Sequence, residues 1–126
     1  MKGDFLDPSC LLEQHYDLVM GNPPYSLVEE FVRRGISVTK TSGHIMYLVR
    51  LGFLASQRRN FGLYQEHPPV YAIPLGERPS FTKNGVSDVK TDYALIIWSG
   101  DPQAKPITSL LFGFQWRNHQ ARMDLA

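Results

Sequence analysis

The sequence predicts an α/β fold with a mainly parallel sheet and one antiparallel strand near the carboxyl terminus. Short apolar segments suited to strands alternate with segments whose apolar residues recur at helical spacing. The last two strand segments are joined by a turn-rich loop, and the order β-α-β-α-β-loop-β favours right-handed parallel crossovers before a reversed final strand. With 126 residues, the chain is predicted to form a single domain, residues 1–126.

The first half of the chain begins with an apolar strand at Tyr16–Met20. Ser26 and Glu29 then form a Ser-x-x-Glu pattern, which predicts a capping box at the start of a helix. Apolar residues at helical spacing extend this helix to about Thr39. The turn residues Thr41-Ser42-Gly43 are expected to end it.

The second half predicts three further strands and one helix. His44–Arg50 is mainly apolar and suits a strand buried on both faces of a parallel sheet. A helix is predicted over Phe53–Gln65, followed by a strand at Val70–Leu75. Arg78–Val89 is a loop rich in turn residues, and Tyr93–Trp98 is the final strand.

The chemically most informative motif is Asn22-Pro23-Pro24-Tyr25, which directly follows the first strand. An aromatic amino group is a poor nucleophile because its lone pair is delocalised into the ring. The Asn22 side-chain carbonyl and the Pro23 main-chain carbonyl could accept its two N–H bonds and localise that lone pair. Both prolines restrict the backbone and lack an N–H, so they hold the loop extended. Tyr25 offers a ring on which a planar base can stack.

Composition limits the other function classes. Thirteen basic residues against twelve acidic ones leave a net charge of +1, so any attraction to DNA must come from a local patch. The four histidines show no metal-ligand spacing, and no metal is expected. One cysteine, no signal peptide and no membrane-spanning apolar run favour a soluble, cytoplasmic protein of a bacterial host or a phage.

Four stretches of the chain together resemble the DNA adenine-N6 methyltransferases, particularly the short phage-type members. Asn22-Pro23-Pro24-Tyr25 is similar to the catalytic motif of that family. Leu48–Leu54 followed by Ser56-Gln57-Arg58-Arg59 resembles its next strand and helix start. Arg78-Pro79-Ser80-Phe81, ahead of Tyr93, resembles the loop with a second stacking aromatic residue. Asp4-Phe5-Leu6 resembles a short element whose acidic residue contacts the adenine of S-adenosylmethionine.

The resemblance implies a partial Rossmann-like, S-adenosylmethionine-dependent methyltransferase fold and a target adenine that is flipped out of duplex DNA. It also implies a set of site residues. These are Asn22, Pro23, Pro24 and Tyr25 in catalysis, Tyr25 and Phe81 in base stacking, Asp4, Phe5 and Asn22 at the cofactor, and Arg58, Arg59 and Lys83 on DNA phosphates.

The chain departs from the family in one respect. The family has a glycine-rich loop after its first strand and an acidic residue at the end of the second, and neither is recognisable here. The chain therefore resembles the catalytic half of such an enzyme without its amino-terminal cofactor-binding glycine loop. It could be a fragment or remnant, work with a partner chain that supplies the cofactor half, or complete its site as a homo-oligomer.

Other functions remain open from the sequence. The same motif occurs in methyltransferases that act on protein glutamine amides or on guanine in ribosomal RNA, because a planar amide suits the same two acceptors. A different class is a non-catalytic module that binds DNA or a partner protein. The balanced charge argues mildly against strong, nonspecific DNA binding.

Overall fold

A computed structural model of the chain describes residues 4–7, 15–55, 62–76 and 91–105. Its four strands are β1 Tyr16–Gly21, β2 Thr39–Arg50, β3 Tyr71–Pro74 and β4 Tyr93–Ser99. They form one sheet in the order β1-β2-β4-β3. β1 and β2 are parallel, whereas β4 is antiparallel to both β2 and β3. The predicted α/β fold, mainly parallel with one antiparallel strand near the carboxyl terminus, is confirmed.

The helix after β1 begins differently from the sequence prediction. A 3-10 helix at Tyr25–Leu27 comes first, and α1 spans Val28–Ser37 with Leu27 as its N-cap and no capping side chain. The predicted Ser26–Glu29 capping box is therefore wrong. The Leu27 N–H donates to the Pro24 carbonyl at 2.9 Å, so Ser26 lies inside a tight turn rather than ahead of the helix. Glu29 still stabilises α1, because acidic residues in the first turn complement the helix dipole.

β2 begins earlier than the predicted strand, at Thr39 rather than His44. The pairing with β1 shifts between Tyr16, which lies opposite Thr39, and Leu18, which lies opposite His44. Residues 41–43 therefore do not interrupt the chain as predicted. They lie within β2, at a shift in its pairing register with β1. Gly43 is required there, since a Cβ atom would lie 2.7 Å from the Asp17 carbonyl oxygen.

The predicted helix over Phe53–Gln65 is not continuous. A 3-10 helix covers Leu51–Leu54, and Ala55 leaves helical geometry with φ −106° and ψ 78°. A single turn, α2, spans Leu63–Glu66 after a non-helical Gly62. Residues 56–61 between them lie outside the described residues.

The core lies on the face of the sheet that α1 covers. Alternating residues of β2 and β4 point to this face, and α1 and the segments after β2 close it. Its buried members are Val28, Val32, Ile45, Tyr47, Val49, Phe53, Leu63, Ala94, Ile96 and Trp98. Burial on both faces, predicted for His44–Arg50, is not observed among the described residues. In β2, Ile45, Tyr47 and Val49 are buried and the residues between them are not, and β4 alternates in the same way.

β1 is an edge strand among the described residues and is the least buried of the four strands. Leu18 and Met20 expose 48% and 66% of their surface on the face opposite α1. Within the described ranges, no helix is long and apolar enough to cross a membrane.

Candidate active site

The Asn22-Pro23-Pro24 segment leaves the carboxyl end of β1 and borders two clefts of the molecule. All three residues line both clefts. Pro23 is buried, whereas Asn22 and Pro24 are exposed. Pro24 has φ −55° and ψ 135°, so the chain stays extended up to the 3-10 helix that begins at Tyr25. The prolines therefore hold this segment as a wall that both clefts share.

The first cleft is apolar and has a volume of about 350 Å³. Besides the wall, it is lined by Phe5, Val19, Met20, Gly21, Phe31 and Tyr47. The rings of Phe5 and Phe31 stack with centroids 5.2 Å apart, and Phe31 meets Tyr47 edge-on at 6.3 Å. This aromatic lining suits a planar heterocycle or an aliphatic chain.

The segment 4–7 is held against α1 by main-chain contacts. Arg34 donates from Nε to the Phe5 carbonyl at 3.2 Å and from an η nitrogen to the Asp7 carbonyl at 3.3 Å. Asp4 accepts the Leu6 N–H on its Oδ1 at 2.9 Å, which closes a local turn. Asp4 is exposed and is not among the residues that line the first cleft. Of the predicted cofactor residues, the structure therefore brings Phe5 and Asn22 together at this cleft, with Asp4 next to Phe5 in the chain.

The second cleft shares this wall and has a volume of about 260 Å³. Tyr25, Val28, Val49, Arg50 and Tyr93 complete its lining. The Arg50 guanidinium carbon lies over the Tyr25 ring, 4.8 Å from its centroid. A space flanked by two tyrosines, a cation and the Asn22 side of the wall suits a planar, polar substrate group.

The hydrogen-bond acceptors of the wall differ in whether they already accept a hydrogen bond within the protein. The Pro24 carbonyl accepts the Leu27 N–H and is committed to the turn. No hydrogen bond to the Asn22 side chain or the Pro23 carbonyl is made by any residue that the structure describes. These are the two acceptors that the sequence singled out, and Asn22 is exposed at the boundary of both clefts.

Tyr47 lines the first cleft but is a structural residue. Its hydroxyl donates to the Phe31 carbonyl at 2.8 Å, and its ring packs in the core. Burial raises the pKa of Tyr47 far above its ordinary value, so the phenol stays neutral at physiological pH. Its role is to fix Phe31 in the aromatic lining of the first cleft.

Several predicted site residues cannot be placed. Phe81, the predicted second stacking residue, and the predicted DNA contacts Arg58, Arg59 and Lys83 lie outside the described residues. The ends of β1 and β2 both reach the second cleft. Residues 77–81, in the loop that contains Phe81, lie outside the described ranges. No group of three potential metal ligands occurs within the described part of the chain.

The sequence reasoning assigned no role to several lining residues, among them Phe31, Tyr47, Arg50 and Tyr93. Arg50 and Tyr93 could have been found from position, because the strand that contains Arg50 ends there and ligands gather at carboxyl ends of parallel strands. Phe31 follows the helical spacing of core residues and carries no sign of a cleft.

The sequence matches no protein-family model and no curated protein. The structure does resemble solved ones. A protein of Listeria monocytogenes assigned to the class I S-adenosylmethionine-dependent methyltransferases aligns with TM-score 0.52 and 16% identity over 80% of this chain and 37% of that one. A predicted O-methyltransferase of Agrobacterium tumefaciens aligns with TM-score 0.54 and 16% identity over 90% of this chain and 49% of that one.

A third similar structure is the complex of M1.HpyAVI with SAM, at TM-score 0.47 and 14% identity, over 87% of this chain and 63% of that one. This likeness is too low to support an argument about the substrate. The first two show the fold: the chain has part of the Rossmann-like fold of class I S-adenosylmethionine-dependent methyltransferases. It spans about a third to a half of the length of those two proteins.

Proposed function

We propose that this chain contributes the catalytic part of an S-adenosylmethionine-dependent methyltransferase that methylates the exocyclic N6 amino group of adenine in DNA. The observation that carries the proposal is that an apolar, aromatic cleft and a tyrosine-flanked cleft share the lining residues Asn22, Pro23 and Pro24. In a methyl transfer the acceptor nitrogen bonds to the methyl carbon on the side opposite the sulfur that leaves, so donor and acceptor must meet directly, and the shared residues mark the place where they would.

Asn22 and Pro23 supply the chemistry that an aromatic amine lacks. The Asn22 side-chain carbonyl and the Pro23 carbonyl accept the two N–H bonds of the amino group and draw its lone pair out of conjugation. Neither acceptor is hydrogen-bonded to another described residue, so substrate binding breaks no hydrogen bond among the described residues. The methylated nitrogen then releases a proton readily to solvent, and no strong base is required.

The residues of the first cleft fit part of the cofactor. Phe5 and Phe31 suit its adenine ring, and Val19 and Met20 suit aliphatic atoms. When bound, S-adenosylmethionine supplies an electrophilic methyl group on a sulfonium sulfur. The described residues of the cleft lining include no carboxylate for the ribose hydroxyls and no charged group for the amino-acid end. Its volume lies at the lower end of the range for ligand sites, about 300–1,000 Å³.

We propose that the remaining cofactor contacts come from a second polypeptide that associates with the edge of β1. β1 is an edge strand in the described sheet, and its exposed Leu18 and Met20 are apolar. An unpaired edge next to exposed apolar residues favours association with another strand. A partner chain with the cofactor half and a second copy of this chain are the two candidates, and sedimentation of the purified chain distinguishes a self-associating protein from a monomer.

The decisive test is methyl transfer from radiolabelled S-adenosylmethionine to DNA, ribosomal RNA and a release-factor protein, assayed side by side with the full chain. We expect label in DNA, recovered as N6-methyladenine after digestion. Label in protein glutamine or in ribosomal RNA guanine would replace the DNA assignment with another nitrogen methyltransferase. DNA binding without transfer in the presence of cofactor would favour a binding module.

Calorimetric titration of the same chain with S-adenosylmethionine separates the cofactor question from the substrate question. Micromolar binding would show that the chain forms a cofactor site by itself or as an oligomer. Without measurable binding, the transfer assay is repeated with the candidate partner chain added, and activity that appears only then identifies a two-chain enzyme.

A further inference from the structure

We propose that Arg50 is a positioning residue that holds the Tyr25 ring ready to stack on the substrate base. This inference rests on the proposed function, because it assigns a role to a residue of the second cleft. The guanidinium covers one face of the ring, and the base takes the opposite face. Arg50 acts through Tyr25 and does not read the substrate itself.

The contact between the two side chains has the geometry of a cation–π interaction. The guanidinium carbon lies 4.8 Å from the ring centroid, inside the limit of about 6 Å for such pairs. Neither of the two ion pairs formed between described residues involves Arg50. The arginine charge is therefore directed to the ring, and no carboxylate in the described ranges competes for it.

The backbone on the Arg50 side of the contact is firmly placed. Arg50 is the last residue of β2 and pairs with Tyr93 of β4. The next residue, Leu51, donates its N–H to the Asp92 carbonyl at 2.9 Å. Arg50 thus projects from the end of a paired strand rather than from a loose loop.

The position of Tyr25 makes a contact on its ring useful. It is the first residue of a three-residue 3-10 helix and exposes 41% of its surface. Fixing an exposed side chain on binding costs conformational entropy. A guanidinium stacked on one face removes part of that cost before substrate arrives.

The contact itself is tested by proton NMR of the full chain. Ring currents of Tyr25 shift the δ protons of Arg50 upfield, and this shift is expected to disappear in Tyr25→Leu. An unshifted Arg50 signal in the wild-type protein would overturn the proposal, whatever the substrate proves to be.

The functional role is tested with the fluorescent nucleoside 2-aminopurine riboside, whose emission is quenched on stacking and which bears no phosphate. We expect Arg50→Met to bind it about 2- to 5-fold more weakly, since an exposed cation–π contact contributes about 0.5–1 kcal/mol. Arg50→Lys, which keeps the charge, should restore part of the affinity. In a Tyr25→Leu background, Arg50→Met should have no further effect.

Three results would separate this inference from the proposed function. Equal binding by wild type and Arg50→Met overturns the inference and leaves the base site in place. An effect of Arg50→Met that persists in the Tyr25→Leu background also overturns it, because Arg50 would then contact the ligand directly. No binding by the wild-type chain removes the base site, and with it both proposals.

The matched control is Arg33→Gln. Arg33 is an exposed arginine of α1 that pairs with Glu66, away from both clefts. The Arg33→Gln substitution changes the net charge of the chain by the same amount as Arg50→Met. Loss of nucleoside binding in Arg33→Gln would attribute the effect to overall charge and contradict a specific role for Arg50.

Discussion

The two edges of the sheet differ in whether key polar groups are hydrogen-bonded within the described residues. At the carboxyl edge, where β1 and β2 end, Asn22 and the Pro23 carbonyl make no hydrogen bond within the described residues, and Tyr25 is exposed. At the amino edge, where β2 begins, polar groups are paired. The Trp98 Nε1–H donates to the His67 carbonyl at 3.0 Å, and the Thr39 hydroxyl donates to the Gly35 carbonyl at 2.6 Å.

The amino edge also has a cleft, but polar side chains that line it form contacts within the protein. The cleft has a volume of about 140 Å³ and lies among the end of α1, the segment before β3 and the segment after β4. Its polar lining is used internally: Glu66 pairs with Arg33, and Asp101 accepts the Gln103 N–H. Gly100 packs so closely that a Cβ atom would lie 2.1 Å from the Lys40 carbonyl oxygen.

The difference teaches how to choose between clefts in a chain of this kind. Buried or partly buried polar groups are normally satisfied, and those at the amino edge follow that rule. Acceptors left without internal partners beside an aromatic surface indicate a surface kept for a ligand. This contrast is why the proposed function is assigned to the carboxyl edge.

The largest effect is expected for Asn22→Ala. Methyl transfer should fall about 100-fold or more, since removing one preorganised polar group from a transition-state site costs about 10²–10³ in rate. Thermal stability should be nearly unchanged, because the Asn22 side chain makes no hydrogen bond within the described residues. Rate with radiolabelled cofactor and thermal melting are measured on the same preparation.

The control for Asn22→Ala is Gln103→Ala, which removes an exposed amide at the amino edge. Its transfer rate should equal that of the wild type. A folded Asn22→Ala protein with wild-type activity would refute the role of the wall.

Tyr25 gives the next largest effect. Tyr25→Ala should weaken binding of the target base about 5- to 150-fold, corresponding to the roughly 1–3 kcal/mol of base–aromatic stacking. Tyr25→Phe should stay close to wild type, because the ring and not the hydroxyl makes the stack. Binding is followed by quenching of 2-aminopurine. Tyr71→Ala is the control, since Tyr71 is an equally exposed tyrosine at the start of β3. Equal losses in the Ala and Phe variants of Tyr25 would assign the effect to the hydroxyl.

Trp98→Phe tests the amino edge. It removes the indole N–H and leaves the His67 carbonyl without that donor, which should cost about 1–3 kcal/mol of unfolding free energy. Chemical denaturation measures this loss. Nucleoside binding at the carboxyl edge should be unchanged in the folded variant. A stable Trp98→Phe protein with impaired binding would show that the two edges are not separable.

The smallest effect is expected for Glu66→Gln. The hydrogen bond from Arg33 holds the pKa of Glu66 below its ordinary value, although both side chains are exposed. A lowered pKa in the folded state means that the pair stabilises the protein above the unfolded pKa of glutamate. That stabilisation is lost as the pH falls through the folded pKa. The stability difference between wild type and Glu66→Gln should therefore be small at neutral pH and vanish in acid, as measured by melting over a pH series. A difference that grows in acid would contradict this assignment.

Much of the strand pattern could be predicted, but the ends of several elements could not. β1 and β4 appear within one residue of their predicted bounds, since each is a compact apolar run. The start of β2 was missed because Thr41, Ser42 and Gly43 are turn residues by type. Pairing with β1 and close packing at Gly43 keep them in the strand. The capping box failed because the two prolines impose a 3-10 turn on Ser26 first.

The candidate site likewise has features that could be predicted from the sequence and features that could not. The acceptors Asn22 and Pro23 follow from the motif alone, because their chemistry lies in one short stretch of the chain. The contact of Arg50 with Tyr25 joins residues from two elements and depends on strand register. The stack of Phe5 on Phe31 depends likewise on Arg34 anchoring the segment 4–7.

The amino-acid sequence by itself determined the α/β class, the strands and the motif at the end of β1, since these depend on local periodicity and residue chemistry. Only the tertiary structure decided that the motif borders two clefts, that Arg50 covers Tyr25, and that the Trp98 indole at the amino edge is hydrogen-bonded to the His67 carbonyl. Those features are contacts between residues distant in the chain. Their geometry is set by how the strands pair and how α1 packs on the sheet.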